Sequence, residues 1–174
     1  MSKRILIAGL GNIFCSDDAF GVSVIERLAA RSWPEGVEVQ DFGIRGIHLA
    51  YQLLEPYDLV VLVDAVQRDG PPGTVYVVEA EPDPEPGPEV SMDAHDLAPD
   101  AVLSLVPRLG GTLGAVVVVG CEPAEMGTGI GLSPAVEAAV ETAAQLVTDL
   151  VTGQASSAQA SSAQAPVGAT EGKL

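Results

Sequence analysis

Short apolar runs alternate with longer amphipathic stretches along this chain, and few folds accommodate that rhythm. Ile5–Leu10 reads as a buried strand ending in glycine, and Val37–Asp41 as a second. Leu59–Val63 is continuously apolar, as central parallel strands tend to be. Thr74–Val78 follows a Gly-Pro-Pro-Gly turn and suits an antiparallel edge strand, and Ala115–Gly120 closes the set. Between the runs, helical periodicity predicts helices over about Ala19–Arg31, Gly46–Leu54, Pro99–Leu109 and Ser133–Val151. Asp17 or Asp18 stands where the first of these needs an N-cap. The alternation predicts an α/β domain of three layers: a mostly parallel twisted sheet of about five strands, one antiparallel edge strand, and helices on both faces. In such sheets ligands bind beyond the carboxyl ends of the strands, so polar residues just after a strand are the first candidates for chemistry.

Length and composition narrow the class. A chain of 174 residues is one domain with room for a sizeable core. Eight Lys/Arg against 24 Asp/Glu leave a formal charge of −16, which disfavours nucleic acid and anionic membrane surfaces. No apolar stretch approaches the length of a membrane-spanning helix, and the first apolar run stops too soon, at Gly11-Asn12, for a signal peptide. Two cysteines make no disulfide framework, so a reducing, cytoplasmic setting is expected. The domain is expected to span residues 1–151, with 152–174, built on a Ser-Ser-Ala-Gln-Ala repeat, as a disordered tail. Residues 82–89 alternate proline with mostly acidic side chains and predict an extended, solvated loop.

Several residues at strand ends have the right chemistry. The first strand leads into Gly9-Leu10-Gly11-Asn12 and then the acidic pair Asp17-Asp18. A dinucleotide fingerprint would want a third glycine where Phe14 stands, and two carboxylates near the helix start would repel a pyrophosphate. Asp41, ending the second strand, nevertheless suits a ribose-binding acid, so a nucleotide-binding domain stays as a lesser alternative. The acidic loop suits a cation better. Asp64 directly follows the third apolar run, and His95 precedes the third helix. Were these loops to converge, two carboxylates and an imidazole would form an open site for a divalent ion. Oxygen and nitrogen donors without a thiolate do not single out nickel, zinc, iron or manganese. His48 reads as a helix-surface or packing residue, and Cys15 and Cys121 as small packed side chains, since nearby acids would raise the pKa of Cys15. Gly-x-Ser-x-Gly, His-Glu-x-x-His and Walker-type motifs do not occur.

Together these residues resemble the nickel–iron hydrogenase maturation endopeptidases. The resemblance runs from about Lys3 to Leu150 and rests on Gly9-Leu10-Gly11-Asn12, Asp17-Asp18, Gly21-Val22, Asp64-Ala65 and His95, with Cys121-Glu122-Pro123 and Gly131-Leu132-Ser133 as closing motifs. It implies an α/β protease that trims a C-terminal peptide from a hydrogenase large-subunit precursor after nickel insertion. It also implies that Asp18, Asp64 and His95 form the catalytic, nickel-sensing set, the nickel arriving with the precursor. Asp41-Phe42-Gly43-Ile44-Arg45-Gly46 matches the family's substrate-recognition stretch at Asp41, Gly43 and Gly46, with Phe42 replacing a glycine and Ile44 a threonine. A non-catalytic chaperone docking a nickel protein through the same ligands is the alternative from a different class.

Overall fold

The computed structural model describes residues 2–80 and 98–153. Five strands form one sheet: β1 Ile5–Leu10, β2 Val37–Gly43, β3 Leu59–Ala65, β4 Val75–Ala80 and β5 Ala115–Cys121. Their spatial order is β2-β1-β3-β5-β4; every pairing is parallel except that of β4 with β5. Four α-helices complete the fold: α1 Phe20–Ala29, α2 Gly46–Gln52, α3 Pro99–Arg108 and α4 Pro134–Thr152. The expected α/β architecture with an antiparallel edge is therefore present. Among the described residues no helix is long and apolar enough to cross a membrane.

The side-chain alternation of strands sorts the core into two layers. Ile5 and Ile7 of β1, with Val61, Val63 and Val119, pack under α1 and α4. Leu6, Ala8 and Leu10, with Leu62, Val116 and Val118, pack on the opposite face against α2 and α3. All six residues of β1 are buried, which explains why its sequence reads as a run rather than an alternation. With few aromatics, Val, Leu, Ile and Ala fill both layers, each fully buried Val, Leu or Ile contributing about 1.5–3 kcal/mol. Phe20, Val24, Ile25 and Leu28 are the buried stripe of α1.

Helix α1 lies unusually close to the sheet. A Cβ on Gly21 would sit 2.2 Å from the Leu10 carbonyl oxygen and 2.3 Å from that of Val63. Gly21 thus performs the close helix–strand packing that a dinucleotide fingerprint assigns to its third glycine. Phe14, at that third position, is instead 60% exposed on the loop.

Three boundaries differ from expectation. Neither Asp17 nor Asp18 caps α1. Both lie in a short 3-10 turn, Ser16–Ala19, and the N-cap residue is Ala19 in helical geometry with no side-chain cap. Strand β2 continues two residues past Asp41, because a register shift opposite Gly9 and Leu10 brings Gly43 beside Leu10. Helix α4 runs one residue past the expected Val151, to Thr152, and is capped by Gly153 in the left-handed conformation (φ 71°). The 82–89 loop and the remainder of the tail lie outside the described residues.

Candidate active site

The chain runs from β1 to β2 on one side and from β3 towards β5 and β4 on the other, so the connections diverge between β1 and β3. At such a switch point the loops leave the sheet in opposite directions and open a crevice at the carboxyl ends of the strands. A cavity of about 180 Å³ lies there, lined by Leu10 and Gly11 after β1, by Gly43, Ile44 and Gly46 after β2, by Asp64 and Ala65 at the end of β3, and by Asp18, Ala98 and Met126. Asp64 is buried, and its Oδ1 accepts the Ala65 backbone N–H at 2.8 Å. Asp18 is half-buried, and its Oδ2 accepts the Asn12 N–H at 2.9 Å. The loop folds back tightly: a Cβ on Gly11 would stand 1.8 Å from the Asp18 carbonyl oxygen. Two acidic residues, one on the turn after β1 and one at the end of β3, therefore line one small cavity.

The other acid of the pair does something different. Asp17 is wholly buried and points away into the loop between β5 and α4. Its Oδ2 accepts from the backbone N–H groups of Ala124 (2.8 Å) and Glu125 (2.9 Å) and from the Ser133 hydroxyl (2.9 Å), and its Oδ1 accepts from the Ser133 N–H (2.7 Å). Burial pushes its pKa up, but the backbone donors and the Ser133 hydroxyl outweigh burial and hold it below the ordinary aspartate value. The same two loops are further joined through Ser16, whose backbone is left-handed (φ 53°). The Ser16 N–H donates to the Gly129 carbonyl and its hydroxyl to the Gly127 carbonyl. These bonds fix the turn that carries Asp18 and hold the segment bearing Met126 against the cavity.

Comparison with known proteins agrees with this architecture. Residues 22–150 match the family model described as hydrogenase maturation protease. The chain belongs to the hydrogenase maturation protease family. It is 35% identical over 126 residues to the hydrogenase expression/formation protein HupM of Azotobacter chroococcum, a match covering 72% of this chain and 60% of that protein. The chain thus spans about three fifths of that curated relative's length. It is 32% identical over 136 residues to the hydrogenase 2 maturation protease of Escherichia coli, covering 78% of this chain and 82% of that one. The solved structure of the hydrogenase maturating endopeptidase HybD from E. coli superposes with a TM-score of 0.71 at 30% identity, covering 87% of this chain and 93% of that chain. Family membership replaces the nucleotide-binding alternative.

Within this hydrogenase maturation protease fold, the structure brings Asp18, Asp64 and Gly43 to one cavity. His95 lies outside the described residues, although Ala98, three positions further along the chain, is part of the cavity wall. Among the described residues no group of three or more His, Cys, Asp or Glu is placed to hold a metal ion. Asp41 is exposed, one step back from the wall. Its Oδ1 accepts the Gly43 N–H at 2.7 Å and its carbonyl oxygen accepts from Arg45 Nη2 at 2.7 Å, so it shapes the turn that places Gly43 (φ 52°). Of the two departures from the family stretch, Phe42 is buried under α2 and α3, and Ile44 lines the cavity. His48 is exposed on α2, and Cys121 is buried beneath α4.

Sequence reasoning singled out Asp18 but missed the structural roles of Asp17 and Glu122 and the place of Met126 on the cavity wall. The buried Glu122 Oε2 accepts the Tyr76 hydroxyl (2.9 Å) and the Arg68 N–H (2.8 Å), tying the β3–β4 connection to β5. A buried acid directly after an apolar strand was the available signal, the same one that singled out Asp64.

Proposed function

We propose that this chain is an endopeptidase that removes a C-terminal peptide from the nickel-loaded large-subunit precursor of a [NiFe] hydrogenase. Asp18 and Asp64 lining one cavity at the switch point is the observation that carries this reading. The nickel is part of the substrate. Carboxylate oxygens and an imidazole suit a borderline divalent ion, so Asp18, Asp64 and His95 are the groups assigned to recognise it. His95 is included on the resemblance, since it lies outside the described residues. Recognition of the ion sets which peptide bond lies beside the two carboxylates.

Hydrolysis then requires only water and a base. A cavity carboxylate takes a proton from water as the water oxygen attacks the scissile carbonyl carbon. The C–N bond breaks, and the proton passes to the departing amine. The products are a large subunit with a new C-terminal carboxylate and a released peptide with a free amino end. Both cysteines are unpaired with each other, which fits the reducing cytoplasm in which this reading places the reaction.

The test is mass spectrometry of a large-subunit precursor incubated with the chain, with and without nickel in the precursor. The wild-type chain shortens only the nickel-loaded form. Asp64→Asn keeps the side-chain shape and an acceptor for the Ala65 N–H, so the variant stays folded, checked by its circular dichroism, and leaves the precursor mass unchanged. Processing at the wild-type rate by that variant removes Asp64 from the chemistry. A wild-type chain that binds the loaded precursor without changing its mass is a docking chaperone instead.

A further inference from the structure

Seven large apolar side chains stand exposed among the described residues, and they divide between the two ends of the sheet. Tyr51, Leu54 and Leu109 lie at the far ends of α2 and α3. Ile44 lines the cavity, and Ile13, Phe14 and Ile130 lie on the two loops that supply Gly11, Asp18 and Met126 to its wall. Ile130 is 85% exposed and Phe14 is 60% exposed, which is costly unless something covers them. The two are brought together by backbone pairing: the Gly129 N–H donates to the Phe14 carbonyl at 2.9 Å, and Cys15 bridges Gly129 in parallel fashion. Ile44 belongs to the cavity wall itself. These apolar side chains form a collar, interrupted by the exposed Asp41, Arg45 and Glu125, beside a cavity lined by two acidic residues, on a chain whose formal charge is −16.

We infer that this collar is the docking surface for the stretch of precursor polypeptide flanking the scissile bond, and that it selects an extended segment with large apolar side chains and no acidic residues. The inference rests on the processing reading above and adds the feature of the substrate, besides its metal, that the enzyme reads. Charge complementarity decides the occupant. An acidic segment would meet Asp18 and Asp64 at the centre and a strongly negative chain around them. The nearest rim cation, Arg45, is already bonded to the Asp41 and Phe42 carbonyls. A neutral apolar segment pays no such penalty and covers Phe14 and Ile130, while the ion it carries meets the carboxylates. The loops that carry the collar also supply Gly11, Asp18, Ile44 and Met126 to the cavity wall, so one extended segment reaches both.

The experiment uses full-length protein and the nickel-loaded precursor, and measures binding separately from cleavage. Affinity is measured on an Asp64→Asn background, and KM and kcat on the otherwise wild-type chain. Phe14→Ser with Ile130→Ser raises both the Kd and the KM by about tenfold, since truncating a buried interface anchor commonly costs that much. The kcat and the thermal midpoint stay near wild type, because both side chains are exposed. Tyr51→Ser, at the opposite end, changes none of these. Replacing the precursor's apolar residues beside the cleavage site with glutamate gives the same KM rise, and combining it with the collar variant adds little. Wild-type Kd and KM in the collar variant, or an equal effect from Tyr51→Ser, overturn the docking surface while leaving the peptidase reading standing. Binding that the collar variant weakens, with no cleavage by the wild-type chain, does the reverse.

Discussion

Asp17 offers the sharpest test of the site's construction, because its carboxylate joins the turn carrying Asp18 to a loop more than a hundred positions away. Asparagine has the same shape. With its amide oxygen at the Oδ2 position it can still accept from Ala124 and Glu125, but its NH2 group then faces the Ser133 N–H, which sits 2.7 Å from Oδ1 in the wild type. One backbone hydrogen bond becomes a clash of two donors, and the remaining bonds lose the strength that a charged acceptor gives. The expected cost of Asp17→Asn is about 2 kcal/mol, which lowers Tm by about 6 °C in a chain of this size. The pH dependence identifies the cause. The folded pKa of Asp17 lies below its ordinary value of 3.8, so its charge stabilises the fold above that value. The contribution is lost as pH falls through the lower, folded value. Denaturant midpoints of wild type and variant should therefore differ near neutral pH and converge in acid. A variant as stable as wild type near neutrality, or a gap that does not shrink in acid, would refute the clamp.

Two further outcomes follow from packing. Gly21→Ala should cost about 3 kcal/mol or more, since the new methyl group meets two backbone carbonyls that can move only by parting α1 from the sheet. Differential scanning calorimetry reads this directly, and a loss below about 1 kcal/mol would show that the helix lifts off easily. Burial, helped by the nearby Asp17 and Glu122 charges, pushes the Cys121 thiol up to about 12. A thiol reagent applied to the native chain should therefore modify Cys15 alone and reach Cys121 only after denaturation, whereas two rapid modifications in the folded state would contradict the burial.

The layered fold was legible because β1, β3 and β5 are buried on both faces, and such strands announce themselves as unbroken apolar runs. Asp64 was legible for the same reason, as an acid at the end of such a run. The role of Asp17 was not. Its partners Ala124, Glu125 and Ser133 are remote in sequence, and no local pattern distinguishes a carboxylate that will meet a distant loop from one that caps the next helix. The last residues of β2 were missed because a register shift, which depends on how β1 sits beside it, has no signature in β2 alone. The resemblance supplied what spacing could not, namely the choice of Asp18 over Asp17 as the partner of Asp64.

The two apolar layers share one strand. Ile5 and Ile7 reach into one, and Leu6, Ala8 and Leu10 into the other, so every second peptide of β1 is anchored on the opposite side. Leu10 also lines the crevice. Pulling this single thread undoes both halves at once and takes one wall of the crevice with it, whereas the loops that complete the wall can open without it.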